Sequence, residues 1–194
     1  NEESRNFPVP FPGGPWQLRR MGWFSKLFGL GPKDPTESFP KPLVPPKLVW
    51  DTGSRTLNRI PLLGPVESLA PFGPCEEFRP LGKRYVHLSY LSLGIEFGVV
   101  DGRIDEFTIF LHDDPDEPRP GFRPAKLLVE PAGTLIGPGT TEEQLTALFG
   151  PGDKKVWDDG EEIEIGYRHG DVCFDATFTG EGRLVDIEVY DEKE

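Results

Sequence analysis

The chain has 194 residues, of which 36% are hydrophobic and 28% are charged, and its formal net charge is −12. A chain of this length can build one core of ordinary size, or two small cores that share an interface. The charge is divided unevenly, because residues 1–50 have a net charge of +3 and the remaining residues one of −15. A surface this acidic repels phosphate backbones, so we expect no nucleic-acid binding by the folded part. The simplest interpretation is a solvated acidic surface that favours solubility, and basic partners stay open as an alternative.

The sequence shows none of the patterns that indicate a membrane span, an export signal, a metal site or a cofactor site. No stretch approaches the roughly 20 apolar residues of a membrane span, and no apolar run follows a basic start as in a signal peptide. We therefore expect a cytoplasmic protein with reduced thiols. Cys75 and Cys173 belong to no CxxC or Cys/His cluster, so we expect no zinc site, and their spacing leaves open whether they pair. No glycine-rich phosphate loop precedes a helix, so no cofactor is expected.

The first part of the chain, residues 1–46, is predicted to be an extended or disordered arm. Ten of the 22 prolines lie in the first fifty residues, and proline removes the backbone donors that helices and sheets need. Met21 is the only methionine and opens MGWFSKLFG, which resembles the start of many bacterial cytosolic proteins, so Met21 is a candidate true start. In residues 21–30 the apolar side chains would share one side of a short helix, which leaves a weak membrane tether as an alternative.

The rest of the chain contains an internal duplication, which becomes visible when the sequence is compared with itself. The tripeptide FGP at 72–74 recurs at 149–151. GRIDEFTIF at 102–110 corresponds to GRLVDIEVY at 182–190. The length difference between the copies lies in the turn before the last strand, where insertions are tolerated. We conclude that one structural unit occurs twice.

The match extends upstream, where KLVWDTGSRTL at 47–57 corresponds to KLLVEPAGTL at 126–135. The predicted organisation is an arm at 1–46, repeat unit 1 at 47–111, a linker at 112–125, repeat unit 2 at 126–190, and an acidic tail at 191–194. The linker contains HDDPDE at 112–117. This run lacks the glycine and the distal glutamate of a calcium loop, so no metal site is expected there.

Each unit is predicted to contain a short strand, a turn, a second short extended piece, a short helix and three further strands. In unit 2, Thr141 can cap the helix, Gln144 can close a capping box, and Gly150 can end the helix. In unit 1, Pro71 shortens the corresponding helix. The last strands alternate apolar and polar residues, as in an antiparallel sheet with one covered face. The expected fold class is α+β, with two tandem copies of a helix packed on a small antiparallel sheet.

The pattern of unit 2 resembles a known small module. A Thr-capped helix ends in Leu-x-x-x-x-Gly-Pro, a tyrosine follows, and a Gly-x-Leu opens the last strand. These positions are Thr141, Leu145, Gly150, Pro151, Tyr167, Gly182 and Leu184. The pattern is similar to the repeat of the beta-lactamase inhibitory proteins and to the SmpA/OmlA lipoprotein domain. The resemblance implies a tandem α+β fold and a binding role, but it names no target and transfers no binding residue.

The motif DTGS at 51–54 has two interpretations. Aspartic proteases present their catalytic aspartate in this way, which would give Asp51, Thr52 and Gly53 a catalytic role. Such enzymes need two aspartates that share one proton, whereas the corresponding segment of unit 2 is EPAG with Glu130, so only a homodimer would supply the dyad. In the other interpretation Asp51 caps a turn, Gly53 takes positive φ, and the serine satisfies backbone groups. We favour the turn.

The predicted function is a non-enzymatic protein-binding module of the immunity or inhibitor type, with an unknown protein partner. The chain is duplicated, yet it contains no duplicated catalytic residues. A sheet face with aromatic side chains would supply the contacts. The candidate contact residues are Tyr90, Phe110, Trp157, Tyr167 and Tyr190. A homodimeric aspartic protease and a peripheral membrane protein tethered by residues 21–30 stay open as alternatives.

Overall fold

The structure is a computed structural model that describes residues 32–113, 118–157 and 162–192. The described residues from Lys33 onward belong to one structural unit. The candidate start at Met21 and the proposed tether at 21–30 lie outside the described residues. Within the described ranges, no helix has the length and the apolar composition required to cross a membrane.

Strands dominate this unit: they account for 45% of the described residues, and helices account for 12%. The strands in chain order are β1 (Leu48–Asp51), β2 (Thr56–Leu57), β3 (Ile60–Pro61), β4 (Glu77–Pro80), β5 (Tyr85–Tyr90), β6 (Ile95–Val100), β7 (Arg103–Phe110), β8 (Leu127–Glu130), β9 (Thr134–Ile136), β10 (Asp153–Trp157), β11 (Glu162–His169), β12 (Val172–Thr179) and β13 (Leu184–Asp191). They form one sheet of five strands and one of eight.

The predicted α+β class, with two tandem copies of a helix on a small sheet, is wrong, because the fold is mostly β. The α-helical part of the described chain is α1 (Glu142–Phe149), which has eight residues. The corresponding segment of unit 1, Val66–Phe72, is a 3-10 helix that contains Pro71, and proline removes a backbone donor and obstructs regular helix formation. A further 3-10 turn spans Leu91–Leu93. Strands of one predicted unit pair with strands of the other in both sheets. The local sequence pattern does not reveal this long-range pairing.

The eight-stranded sheet has the order β10-β11-β12-β13-β7-β6-β5-β4. All its neighbouring strands are antiparallel, and β7 and β13 meet at the centre. Their register pairs Ile109 with Ile187 and Phe107 with Val189 around a central pair of Thr108 and Glu188. Each predicted unit therefore contributes four strands, and the two sets lie in mirrored order about that central pair.

The five-stranded sheet has the order β3-β2-β1-β8-β9. Its centre is a parallel pair in which Leu48 lies opposite Leu127 and Asp51 lies opposite Glu130. These are the positions that the duplication makes equivalent. The first strands of the two units thus pair with each other instead of each joining its own sheet.

The core lies between the eight-stranded sheet and the elements packed on one of its faces. Trp50 of β1 contacts Phe107 and Phe174, with ring centroids 5.8 and 5.2 Å away. Phe149 of α1 stacks on Phe174 at 4.6 Å, and Phe72 of the 3-10 helix contacts Phe97 at 5.4 Å. Apolar burial on this face is the main stabilising contribution. The opposite face of the eight-stranded sheet, here called the outer face, carries the polar positions of the same strands.

The start of α1 agrees with the predicted capping box. The Gln144 N–H donates to the Thr141 hydroxyl oxygen at 3.4 Å, and the Thr141 N–H donates to Gln144 Oε1 at 3.0 Å. The C-cap residue is Gly150, with φ of 91°. Glu142 and Glu143 lie in the first turn, where the helix dipole favours negative charge.

Candidate functional site

The DTGS motif forms a turn at the end of β1. Asp51 Oδ1 accepts hydrogen bonds from the backbone N–H groups of Gly53, at 2.8 Å, and Ser54, at 3.2 Å. Hydrogen bonds from Ser54 and then Gly53 hold the pKa of the Asp51 carboxyl below its ordinary value. The left-handed backbone conformation belongs to Arg55, with φ of 55°. The expectation that Gly53 would take positive φ is therefore wrong, although the aspartate caps the turn as expected.

Asp51 and Glu130 lie side by side at the ends of the parallel strands β1 and β8. The backbone N–H and the hydroxyl of Thr52 both donate to the Glu130 carbonyl oxygen, each at 3.0 Å. A shallow depression of about 480 Å³ lies beside Asp51, Gly53, Glu130 and Pro131. The Asp51 side chain is engaged in the turn through its bonds to Gly53 and Ser54.

The outer face of the eight-stranded sheet is the most polar surface that the strands build. Side chains alternate along each strand, so polar residues here share strands with core residues on the other face. The acidic members at its centre are Glu96, Glu106, Asp175, Asp186 and Glu188, which we call the acidic cluster. All five are half-buried. The cluster spans four adjacent strands, from β6 through β7 and β13 to β12.

A continuous chain of hydrogen bonds crosses β5, β6 and β7 on this face. The Glu96 carboxylate lies 2.5 Å from His87 Nδ1 and accepts from the Ser89 hydroxyl at 2.5 Å. His87 Nε2 lies 2.7 Å from the Tyr85 hydroxyl oxygen, and that hydroxyl donates to Glu106 Oε1 at 2.5 Å. Two carboxylates are thus connected through an imidazole and a phenol.

Gly98 of β6 makes room for this network. A Cβ atom at Gly98 would lie 2.7 Å from Glu106 Cγ and 2.9 Å from the Tyr85 hydroxyl oxygen. Both distances are shorter than heavy atoms tolerate, so a side chain here would displace Tyr85 or Glu106. Glycine in a strand interior often marks a close approach of this kind.

Electrostatics divide the acidic cluster into two parts. Burial alone would raise the pKa of Glu96, but hydrogen bonds from His87 and Ser89, together with the charges of His87 and Arg79, lower it below the ordinary value. The pKa of Glu188 is shifted in the opposite direction. Burial and the adjacent Glu106 raise its pKa to about 7. The pKa of Asp186 rises to about 6, chiefly through burial.

The centre of the face therefore holds two carboxyl groups with raised pKa values, Asp186 and Glu188, although the charge of Arg119 opposes the rise at Asp186. Among the described residues, no salt bridge joins Asp186 or Glu188 to Lys, Arg or His. Nearer the edges of this face, Arg79 reaches Glu96 at 3.4 Å and Lys155 reaches Glu164 at 2.9 Å. Like charges that are close together and partly desolvated repel one another.

The linker approaches one end of the outer face. The Arg119 guanidinium lies 4.2 Å from the Phe110 ring centroid and 4.4 Å from that of Phe122, a cation–π arrangement on both rings. The Arg119 Nε atom also lies 3.5 Å from Asp113 Oδ1. Phe110 is thereby partly covered by the chain's own linker.

The predicted aromatic contact residues divide between the two faces. Tyr90 and Tyr167 are each 2% exposed and belong to the core, so the prediction that they are exposed contacts is wrong. Phe110 and Tyr190 are half-buried on the outer face, and the Tyr190 hydroxyl donates to Asp175 at 2.9 Å. Trp157 ends β10, and its side chain lies outside the described residues.

The sequence analysis missed the polar network of Tyr85, His87, Glu96 and Glu106. The signal available was the polar half of the strand alternation, in YVHLSY at 85–90 and the strands after it. The predicted contact residues are aromatic because binding surfaces favour such side chains, yet Tyr90 and Tyr167 occupy core positions of the same alternation. Polar residues that lie opposite apolar core residues in a period-2 strand share a face.

Neither cysteine is paired in the structure. Cys75 is half-buried and Cys173 is buried, and both are free thiols. Burial raises the pKa of Cys75 to about 12, so its thiol is poorly nucleophilic. In the part of the chain that the structure describes, no group of three or more His, Cys, Asp or Glu side chains is arranged to hold a metal ion.

Comparisons with known proteins give one structural neighbour. No protein-family model matches the chain, and no curated protein matches it. A solved structure of YjgB, a DUF4309 family protein from Bacillus subtilis, is similar with a TM-score of 0.43 and 17% sequence identity. The alignment covers 70% of this chain and 84% of that one. Similarity at this level carries no functional argument.

Proposed function

We propose that the chain is a non-enzymatic protein-binding module that presents the outer face of its eight-stranded sheet to a cationic protein partner. The observation that carries the proposal is the acidic cluster at the centre of that face. Its carboxyl groups are held by regular strands, Arg79 and Lys155 lie toward the edges of the face, and Arg119 lies at one end beside Phe110. A rigid face that carries charges of one sign is complementary to a surface that carries charges of the opposite sign.

Charge complementarity favours a basic partner over the other classes. The net charge of −12 repels nucleic acids and anionic membranes at long range. A lysine or arginine brought to Glu106 and Glu188 would relieve the repulsion between these two carboxylates, and its charge would take the place of the proton that Glu188 binds because burial and Glu106 raise its pKa. Desolvated charge pairs of this kind contribute to specificity and to the association rate.

A binding role also agrees with the way in which the carboxylates are supported. Glu106 is held by the Tyr85 hydroxyl, and Glu96 is held by His87 and Ser89. Side chains fixed before binding lose less conformational entropy when the partner arrives. An inhibitor or immunity protein, the type indicated by the sequence resemblance, depends on such a preorganised surface.

Capture of a partner from the cell lysate tests this proposal with three versions of the full chain. The wild type is compared with a face variant, Glu106→Gln, Asp175→Asn and Glu188→Gln. The control variant is Glu37→Gln, Glu67→Gln and Glu181→Gln, which neutralises three exposed carboxylates elsewhere. Both variants change the net charge by the same amount, so general electrostatic attraction affects them equally.

The expected result is one basic protein retained near stoichiometry by the wild type and the control, and lost from the face variant. Circular dichroism and a thermal melt establish that the face variant is folded. Equal retention by all three chains, or loss from both variants together, would place binding elsewhere or reduce it to nonspecific attraction.

A further inference from the structure

Residues 41–47 lead into β1, and we call them the proline segment. Their sequence is KPLVPPK, with three prolines between two lysines. Leu43 is 103% exposed and Val44 is 76% exposed, the largest values among the exposed large hydrophobic residues of the described chain. The segment therefore holds two neighbouring aliphatic side chains in water.

The chain in front of this aliphatic pair is fixed to the body of the protein. Thr36 is fully buried, and its hydroxyl oxygen accepts from the Cys75 N–H at 2.9 Å. Pro42 lies so close to Gly73 that a Cβ atom built on Gly73 would be 2.5 Å from Pro42 Cδ. The aliphatic pair thus follows directly on a packed proline.

The chain behind the pair is fixed as well. The Asn58 side-chain amide donates to the Lys47 carbonyl oxygen at 2.7 Å, and Asn58 Oδ1 accepts from the Val49 N–H at 2.7 Å. Leu48 opens β1 and is 4% exposed. The aliphatic pair therefore lies in a short exposed stretch that is attached to the protein at both of its ends.

Proline limits the conformations that this stretch can adopt. The ring fixes the φ angle of Pro45 and Pro46 near about −65°, and a residue that precedes proline, such as Val44, is restricted to extended backbone. The chain bends at Leu43 and Val44, so the exposed pair lies at the bend. A stretch with so few accessible conformations loses little conformational entropy when a partner binds it.

The charge of the proline segment is opposite to that of most of the protein. Lys41 and Lys47 are exposed on either side of the aliphatic pair, and residues 38–50 contain no acidic residue. The residues after position 50 have a net charge of −15. A complementary surface therefore has an apolar centre with carboxylates around it. An anionic membrane fits the segment less well, because it repels the acidic remainder of the chain.

We infer that the proline segment docks into an apolar, aromatic-lined groove of a partner protein, with carboxylates at the borders of that groove. Proline-rich segments bind such grooves because they present apolar surface at a low cost in conformational entropy. Leu43 and Val44 enter the groove, and Lys41 and Lys47 pair with the bordering carboxylates. The segment lies outside the eight-stranded sheet, so the inference does not depend on binding at the outer face.

The test begins with a photo-crosslinking side chain, p-benzoylphenylalanine, placed at position 43 of the full chain. The matched control has the same side chain at position 81, because Leu81 is also an exposed leucine outside the strands. Both chains are irradiated in lysate of the source cell. We expect one protein to crosslink at position 43 and not at position 81, through a peptide with aromatic residues and nearby aspartate or glutamate.

The crosslinked protein is then purified and titrated with variants of the full chain. We expect Leu43→Ser with Val44→Ser, and also Lys41→Glu with Lys47→Glu, to bind it about tenfold more weakly or worse. The matched control, Leu81→Ser with Val156→Ser, also replaces two exposed aliphatic residues and is expected to bind as the wild type. The outer-face variant described above is expected to bind this protein as the wild type, so the two surfaces are tested separately.

Urea denaturation gives an independent measurement on the isolated chain. Because Leu43 and Val44 are exposed, their replacement by serine is expected to leave the free energy of unfolding unchanged. A loss of stability would overturn the inference, since another part of the chain would then cover the pair. Crosslinks from position 43 that form only within the chain, to a second copy or to lipid, no crosslink at all, or unchanged binding by the serine variant would also overturn it.

Discussion

The two halves of the eight-stranded sheet share a framework but differ in chemistry. In unit 1 the outer positions of β5 and β6 are Tyr85, His87, Ser89, Glu96 and Gly98, which build the hydrogen-bonded network. The corresponding positions of unit 2 are Glu162, Glu164, Gly166, Cys173 and Asp175. There Glu164 pairs with the exposed Lys155, and Asp175 accepts from Tyr190. The apolar positions of the framework have been retained in both halves, whereas a connected polar network occurs in one.

This difference distinguishes the residues that stabilise the fold from the residues that are available for binding. The apolar partners agree between halves, as with Phe97 and Phe174, which both face the core. The outer positions are free to vary because they do not form the core. The polar network of unit 1 reaches the junction of the halves through Glu106, next to Glu188 of unit 2. The proposed binding face therefore needs both halves.

The largest expected effect comes from the buried aromatic residue that touches both halves. Trp50 packs on Phe107 of unit 1 and Phe174 of unit 2, and it is 1% exposed. Trp50→Ala is expected to lower the free energy of unfolding by about 3–5 kcal/mol, the usual cost of a large-to-small change in a core. The equivalent Val129→Ala removes fewer atoms and is expected to cost about 1–2 kcal/mol. Urea denaturation measures both, and equal losses would contradict the central role of Trp50.

Asp186 and Glu188, at the junction of the two halves of the sheet, predict an unusual pH dependence of the free energy of unfolding. The folded pKa values of Asp186 and Glu188, about 6 and about 7, exceed the ordinary values of 3.8 and 4.5. Between the ordinary and the folded pKa values, the native state binds more protons than the unfolded state. The stability contributed by these two groups is therefore present at low pH and is lost as pH rises through the folded pKa values. We expect a gain of about 1–3 kcal/mol from pH 8 to pH 5, reduced from the full linkage value because the groups are partly screened by solvent.

The control for this pH dependence is the pair of isosteric changes Asp186→Asn and Glu188→Gln. The double variant is expected to be more stable than the wild type at pH 8 and to show a flatter profile from pH 5 to pH 8. Urea denaturation at unit steps of pH measures the difference between the two chains. A wild type that loses stability on acidification over this range, in parallel with the variant, would contradict the assignment.

A smaller effect distinguishes two outer-face carboxylates, one from each half of the sheet. Glu96→Gln removes a charge that accepts from His87 and Ser89 in a half-buried site, and we expect a loss of about 1–2 kcal/mol at pH 7. Glu164→Gln removes one partner of an exposed ion pair with Lys155, so the free energy of unfolding should be unchanged within error. If thermal melts show equal losses for both, the network of unit 1 has no special role.

The smallest expected effect concerns the helices. Thr141→Ala removes the capping hydroxyl of α1 and is expected to lower the free energy of unfolding by about 1 kcal/mol. The 3-10 helix at Val66–Phe72 has no side-chain cap, since its N-cap is Pro65. The Ser68 hydroxyl donates an exposed hydrogen bond to the Pro65 carbonyl oxygen, so Ser68→Ala should cost less than Thr141→Ala. A greater loss for Ser68→Ala in chemical denaturation would contradict this ranking.

Sequence reasoning succeeded where the determinants are local. The capping box of Thr141 and Gln144 lies within four residues, and period-2 alternation identifies the strands around Phe107 and Val189. The fold class failed because it depends on pairing between distant strands, as between Leu48 and Leu127, and local propensity does not encode such pairing. Tyr90 was misplaced although the alternation with Val86 and Leu88 puts it on the core face, where it packs against Phe72.

The binding constant of the captured partner for the wild type and for the Glu106→Gln, Asp175→Asn, Glu188→Gln variant tests the account most directly. Titration calorimetry at two salt concentrations measures both chains under the same conditions. The account predicts at least tenfold weaker binding by the variant, or about 1.4 kcal/mol, and a smaller salt dependence than that of the wild type. Equal binding constants and equal salt dependence would show that the outer face of the eight-stranded sheet is not the binding surface.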